Sequence, residues 1–150
     1  MDREYNFDEQ IAEENDKTPD PEETNKVLKM PRPFVSWEVG EETFRLKLTS
    51  AVIQKLEATF KTSLMNAVLD NGIPTVGVMV AVLQAGLQKY NHGIKSKQVE
   101  DLFDAYIDSG KTQIDLLREV IYPLMGDAGF FTATQVELMT REMGELDSQL

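Results

Sequence analysis

The chain has 150 residues, enough for one domain with a modest hydrophobic core, and its 26 acidic and 15 basic residues give a net charge of -11. This charge argues against binding to nucleic acid, because such binding depends on Lys and Arg neutralising phosphates. Disulfide and thiolate chemistry are excluded because the chain has no cysteine, and the longest apolar run, VGVMVAVL, is far shorter than the roughly 20 residues of a membrane span.

Residues 1–33 predict a disordered, acidic N-terminal arm. Residues 1–30 carry 10 acids and 4 bases, so they account for -6 of the net charge, and they hold few large apolar side chains. A segment of this composition cannot offset the entropy lost on ordering. The arm also has no apolar stretch of the kind found in signal peptides, so we expect an intracellular protein.

The segment FVSWEVGEETFRLKLT, residues 34–49, predicts a β-hairpin. Apolar and polar residues alternate on both sides of Gly40-Glu41-Glu42, a pattern typical of two strands with one apolar face. The residues of this face are Val35, Trp37, Val39, Phe44, Leu46 and Leu48. An isolated hairpin is only marginally stable in water, so we expect it to pack on helices.

From Thr49 onward the apolar residues follow a helical period. Thr49 or Ser50 can cap a first helix, whose inner face would be Val52, Ile53, Leu56 and Phe60. A short helix in SLMNAVLDNG follows. Pro74, at a position that a first helical turn tolerates, opens a central helix that is apolar on nearly all sides and is therefore expected to be buried.

Three further helices are predicted in the second half of the chain. Ser96 is expected to cap one of them; Thr112 with Asp115 opens another, which should kink or end at Pro123. GDAGFF is expected to be a loop, and the capping-box spacing of Thr132 and Gln135 begins the last helix. The predicted fold is α+β and mostly α-helical: an N-terminal β-hairpin packed on a bundle of about five to six helices over residues 34–131, with a C-terminal helix at 132–150.

His92, the single histidine, is interpreted as part of a helix end. It follows the central helix and precedes Gly93, a position where an imidazole can donate to unpaired carbonyls and glycine can adopt the left-handed conformation. A catalytic role would need a base and an orienting group, and a zinc site would need further ligands.

Asp101, Asp104 and Asp108 lie on one face of the helix that begins at Ser96, and this spacing could form a cation site. Apolar residues occupy the opposite side, however, so we interpret these acids as the solvated half of an amphipathic helix. The sequence has no phosphate-binding, dinucleotide-binding, EF-hand or nucleophile-elbow motif. We therefore expect no enzyme activity, no catalytic residue, no metal site and no cofactor.

The C-terminal helix carries a candidate protein-interaction seam at strict heptad spacing: Val136, Met139, Met143, Leu146 and Leu150, with Phe130 and Phe131 at its edge. Methionine adapts to irregular surfaces, and a narrow seam usually faces a partner helix. The alternative is that this helix folds back onto its own domain, with its methionines filling gaps in the core.

In its order of elements the chain resembles the tail assembly chaperones of long-tailed phages that infect Gram-positive bacteria. The resemblance rests on the hairpin ending in FRLKLTSAVIQKLEATF, a short helix, a Pro-started helix closing with LQKYNHGI, then VEDLFDAYIDSG, the helix at Thr112, and GFF. It covers roughly residues 35–131.

The resemblance implies a non-enzymatic assembly factor in the cytoplasm of the infected host. Such proteins coat the tape measure protein, keep it soluble, help to recruit the tail tube protein, and leave before the virion is complete. Recruitment would use a longer form made by ribosomal frameshifting, and we expect a homo-oligomer that contacts neither nucleic acid nor membrane. The rival interpretation is an acidic phage regulator or DNA mimic that occupies a basic groove of a host protein.

Overall fold

The computed structural model describes residues 34–70 and 72–149, with side chains described up to residue 145. The predicted acidic arm lies outside the described residues. The fold is α+β and mostly helical, with one two-stranded hairpin and six helices in the described part of the chain, if the helix that a π turn divides into two labelled segments is counted once. The sequence predicts a division between residues 34–131 and a C-terminal helix at 132–150. In the structure that helix belongs to the same compact unit, Arg32–Leu150.

The hairpin consists of β1 (Val35–Val39) and β2 (Glu42–Leu46), paired antiparallel. Its turn holds two residues, since Glu42 pairs with Val39, and Gly40 has the positive φ of 62° that the turn needs. The indole of Trp37 is fully buried and lies 5.9 Å, between ring centroids, from Tyr106. The hairpin is thus anchored on the helices, as its apolar face predicted.

Four helices follow the hairpin: α1 (Ser50–Phe60), α2 (Leu64–Leu69), α3 (Val76–Leu87) and α4 (Ser96–Asp108). The N-cap of α4 is Lys95, so Ser96, expected to be the cap, is the first residue inside the helix. The Thr49 hydroxyl accepts from the amide of Val52 and caps α1. Pro74 lies before Thr75, the N-cap of α3, and not inside the first turn as expected. α3 is the central helix, and half of its twelve residues are buried.

The next helix is continuous but interrupted in its hydrogen bonding: α5 (Gln113–Leu116), a π-helical turn (Leu117–Ile121) and α6 (Tyr122–Asp127). In the π turn the amide of Tyr122 donates to the carbonyl of Leu117. Pro123 then falls in the first turn of α6, where a missing amide is tolerated. The helix does not end at Pro123, because α6 continues to Asp127, and a kink there stays a prediction. The loop assignment of Gly126 and Asp127 was wrong.

The last helix, α7 (Ala133–Gln149), begins with the predicted capping box. Gln135 accepts from the amide of Thr132 at 2.8 Å, and Thr132 accepts from the amide of Gln135 at 3.1 Å. α7 packs against α5, the π turn and α6. No helix among the described residues is long and apolar enough to cross a membrane.

Candidate protein-interaction groove

The hairpin meets the central helix through a close backbone contact at Gly86. The amide of Lys47, just after β2, donates to the carbonyl of Gly86 at 2.9 Å. A Cβ atom at Gly86 would lie 3.1 to 3.2 Å from side-chain atoms of Leu46 and Leu124. Because only glycine leaves this contact unstrained, it fixes the end of the hairpin against α3 and places Lys47 beside the helix.

A groove of about 570 Å³ lies between α1 and α3, and we call it the α1–α3 groove. Its apolar lining comes from Val52 and Leu56 of α1 and from Ala81 and Ala85 of α3. The two alanines are four residues apart and so share one face of α3. Their short side chains leave an open space beside α1, whereas the larger residues on the other faces of α3 are buried in the core. Val52, expected to be a core residue, is only partly buried because it borders this space.

The rim of the groove is basic. Lys47, Lys55, Lys89 and His92 line it together with four uncharged polar residues, and none of the described lining residues is Asp or Glu. Lys47 forms an ion pair with Asp127, with 3.2 Å between Nζ and Oδ2. The groove therefore differs in sign from the chain as a whole, whose net charge is -11.

The corner after α3 is held by Gln88, which also lines the groove. Its side-chain amide donates to the carbonyl of Ile94 at 3.2 Å, and its oxygen accepts from the amide of Gly93 at 3.1 Å. Gly93 has the predicted positive φ, 79°. His92 is exposed, and the side-chain hydrogen bonds that hold this corner come from Gln88.

The acids of α4 lie in solvent. Asp101, Asp104 and Asp108 are exposed, and Lys97 pairs with Asp101 at 2.9 Å. The hydrogen bond to Asp101 and its negative charge raise the pKa of Lys97 above its ordinary value. Among the described residues, no group of three His, Asp or Glu side chains could hold a metal ion.

A second polar cluster joins α4 to the start of the next helix. The Tyr106 hydroxyl donates to Glu119 at 3.2 Å; burial, followed by the charge of Glu119, raises the pKa of Tyr106 well above its ordinary value. Burial alone would raise the pKa of Asp115, but hydrogen bonds from the backbone of Thr112 and from Arg118 hold it below the ordinary value. The bonds between Thr112 and Asp115, both 3.0 Å, form a capping box at the predicted start of this helix.

The structure places the predicted C-terminal seam against the chain's own domain. Phe130, Phe131, Met139 and Met143 are partly buried and pack on the core. Gly126 of α6 approaches Val136 so closely that a Cβ atom there would lie 2.5 Å from Cγ2 of Val136. Of the two alternatives for this helix, the structure therefore has the one in which it folds back.

The side chains of the two remaining seam positions are outside the described part of the chain. Leu146 is described only by its backbone, and Leu150 lies outside the described residues. Gly144, which lowers helix propensity, lies where Arg118 crosses α7: a Cβ atom there would be 3.7 Å from the guanidinium. A role of the seam in binding a partner stays a prediction, and it would have to use the partly exposed edge of α7.

The α1–α3 groove was not among the predicted sites. Ala81 and Ala85 stand in an apolar run that is typical of a core helix, and Lys55 and Lys89 are far apart in the sequence. One signal was available: two alanines on the same face of a helix otherwise rich in Val, Leu and Met. The two alanines indicate a groove only when the element that lies opposite this face of α3 is known.

A family model described as "Family of unknown function (DUF6096)" matches residues 34–148. No curated protein and no solved structure matches the chain. The match spans the hairpin, the groove and most of α7. The chain therefore belongs to the DUF6096 family.

Proposed function

We propose that this DUF6096 protein is a tail assembly chaperone of a long-tailed phage that infects Gram-positive bacteria, and that it binds the tape measure protein and keeps it soluble. The order of elements on which the resemblance rests supports this: a hairpin followed by its first helix, a short helix, the central helix, and the helices over VEDLFDAYIDSG and after Thr112. The observation that carries the proposal is the α1–α3 groove, a partly apolar trough between two helices.

The groove suits the task because a tape measure protein presents long helices with apolar faces. A helix laid in a groove between two others is a common mode of protein recognition, with anchors at i, i+3 or i+4, and i+7. Val52 and Leu56 on one side and Ala81 and Ala85 on the other offer such anchors an apolar surface. Covering the client's apolar face would prevent its aggregation, since exposed apolar patches drive association.

On this proposal the protein acts by binding alone, in the cytoplasm of the infected host, without catalytic residues or a cofactor. It works as a homo-oligomer along the tape measure protein, helps to recruit tail tube subunits through a longer frameshifted form, and is released before the virion is complete. Two genomic neighbours would support it: a tape measure gene just downstream and a tail tube gene just upstream.

The direct test is co-expression of the full chain with the tape measure protein of the same phage. We expect most of the tape measure protein in the soluble fraction, where it co-purifies with the chain. Ala85→Leu fills the groove and should return the client to the pellet. The matched control is Ala105→Leu on the exposed side of α4, which should leave the client soluble. Equal solubility with and without the wild-type chain would contradict the proposal.

One observation favours the rival, an acidic regulator or DNA mimic: Asp101, Asp104 and Asp108 form an exposed row along α4. A mimic of nucleic acid would need such a row to bind a basic surface. Lys97 already pairs with one end of the row, which weakens this interpretation. If Asp104→Asn with Asp108→Asn abolished tail formation while Ala85→Leu did not, the rival would be preferred.

A further inference from the structure

The basic rim of the α1–α3 groove carries information about what the groove binds. The chain has a net charge of -11, yet the described residues that line this groove include three lysines and His92, and no acid. A groove that only needed to be apolar would not need this composition. The local reversal of charge is complementary to a ligand that is itself acidic.

The lysines of the rim differ in their partners. Lys47 is neutralised by Asp127 at 3.2 Å and is partly covered, with 30% of its side chain exposed. Lys55 and Lys89 are exposed, and no carboxylate among the described side chains, residues 34–70 and 72–145, forms an ion pair with either. Lys55 belongs to α1 and Lys89 follows α3, so the two available cations stand on opposite walls of the groove.

We propose that the α1–α3 groove binds an amphipathic helix whose apolar stripe is flanked on both sides by acidic residues. The stripe would cover Val52, Leu56, Ala81 and Ala85, and carboxylates at the two edges would reach Lys55 and Lys89. This proposal deepens the proposed function, on which it rests for the choice of client, because it states which helices of a tape measure protein the groove would accept.

The dimensions agree with a short helical contact. The groove-lining residues run from Val52 to Thr59 on α1 and from Ala81 to Gln88 on α3. Each stretch rises about 10 Å, or two turns, at about 1.5 Å per residue. Two turns present three apolar side chains at i, i+3 or i+4, and i+7, and their flanking positions lie on both edges of the stripe.

The test uses the full chain and three labelled helical peptides of equal length, followed by fluorescence anisotropy at low salt. The first peptide has a Leu stripe flanked by Glu, the second has the same stripe flanked by Lys, and the third keeps the Glu residues but replaces the stripe with Ser. A single-stranded DNA oligomer serves as a polyanion without an apolar face. Non-specific attraction to a chain of charge -11 would favour the Lys peptide, so a preference for the first peptide is diagnostic.

Two groups of variants locate the binding. Lys55→Glu with Lys89→Glu should weaken binding of the first peptide about tenfold or more, and added salt should reduce this difference. The control pair, Lys97→Glu with Lys111→Glu, makes the same change in net charge at lysines outside the groove and should leave the affinity within about twofold. Ala85→Leu should abolish binding; the charge variants lie on the surface and keep the test valid if that variant does not fold.

The proposal is overturned if the Lys-flanked peptide binds as tightly as the Glu-flanked one, or if the stripe-free peptide or the DNA binds equally well. The proposed function is tested separately. If the tape measure protein depends on Ala85 for solubility but the peptides show no acidic preference, the proposed chaperone function is supported and the preference for acid-flanked helices is rejected. If the peptides bind as expected while the tape measure protein stays insoluble, the preference of the groove for acid-flanked helices is supported and the tape measure protein is rejected as the client.

Discussion

Ala85 and Gly86 are adjacent small residues of α3, but they face different parts of the molecule. Gly86 faces the hairpin and α6, where the carbonyl accepts from Lys47 and the missing side chain lets Leu46 and Leu124 come close. Ala85 faces α1 and lines the groove. Gly86 allows Leu46 and Leu124 to pack closely on α3, whereas Ala85 leaves a space between α3 and α1.

The difference indicates how one helix can serve stability and binding together. The packed side of α3 fixes its position through close contacts that tolerate almost no added volume. The groove side is open, so an added methyl group there meets few neighbours. Substitutions on the packed side should therefore change the free energy of unfolding, while substitutions on the groove side should change binding.

The largest effect is expected for Gly86→Leu. Even a Cβ atom at this position would lie 3.1 Å from the methyl carbons of Leu46 and Leu124, so a full Leu side chain must displace the hairpin or α6. We expect a loss of about 3 kcal/mol in the free energy of unfolding, measured by urea denaturation. Ala85→Leu is the matched control one residue away and should change it by less than about 1 kcal/mol. Equal losses would remove the distinction between the two sides.

A second test concerns α7, which lies on the packed side of the molecule. Met139→Asp with Met143→Asp introduces two charges where partly buried side chains contact the core, so the free energy of unfolding should fall by about 2 kcal/mol or more. Leu138→Asp changes a residue that is 47% exposed on the same helix and should have a small effect. A stable double variant that loses only its oligomers would instead support the seam as an interface.

Patterns among neighbouring residues predicted much of this fold. Features that depend on contacts between distant parts of the chain were not predicted. The alternation around Trp37 and the helix starts at Thr112 and Thr132 depend on neighbours in the sequence, and the structure confirms them. The π turn before Pro123 could not be read locally, because a proline is compatible with both a helix end and a first turn. The groove exists because α1 lies opposite Ala81, and this packing of two helices cannot be predicted from the residues around Ala81.

A smaller effect is expected from Asp115→Asn, at the start of the helix on the packed side. Its carboxylate accepts from Thr112 and Arg118, and its lowered pKa means that the stabilisation is present above about pH 4 and is lost as pH falls through the lowered value. We expect the variant to lose about 1 kcal/mol at pH 7. The difference from the wild type should shrink below pH 4; a constant difference down to pH 2 would contradict an ionic origin.

The smallest effect is expected for His92→Asn, at the rim of the groove. His92 is exposed, and the corner that contains it is held by the side chain of Gln88, which bonds Gly93 and Ile94. Asn keeps a polar side chain and is well tolerated in turns, so the free energy of unfolding should change by less than about 0.5 kcal/mol. On the proposed function, phage tails should assemble at near wild-type yield. Gln88→Ala, four residues earlier in the chain, removes both bonds and should cost about 1 kcal/mol, because the amide of Gly93 loses its partner, whereas the carbonyl of Ile94 still accepts from Gln84 at 3.2 Å. The pair separates the residue that attracts a catalytic interpretation from the one that builds the corner: a folded His92→Asn variant that forms no tails would show that the imidazole itself takes part in function.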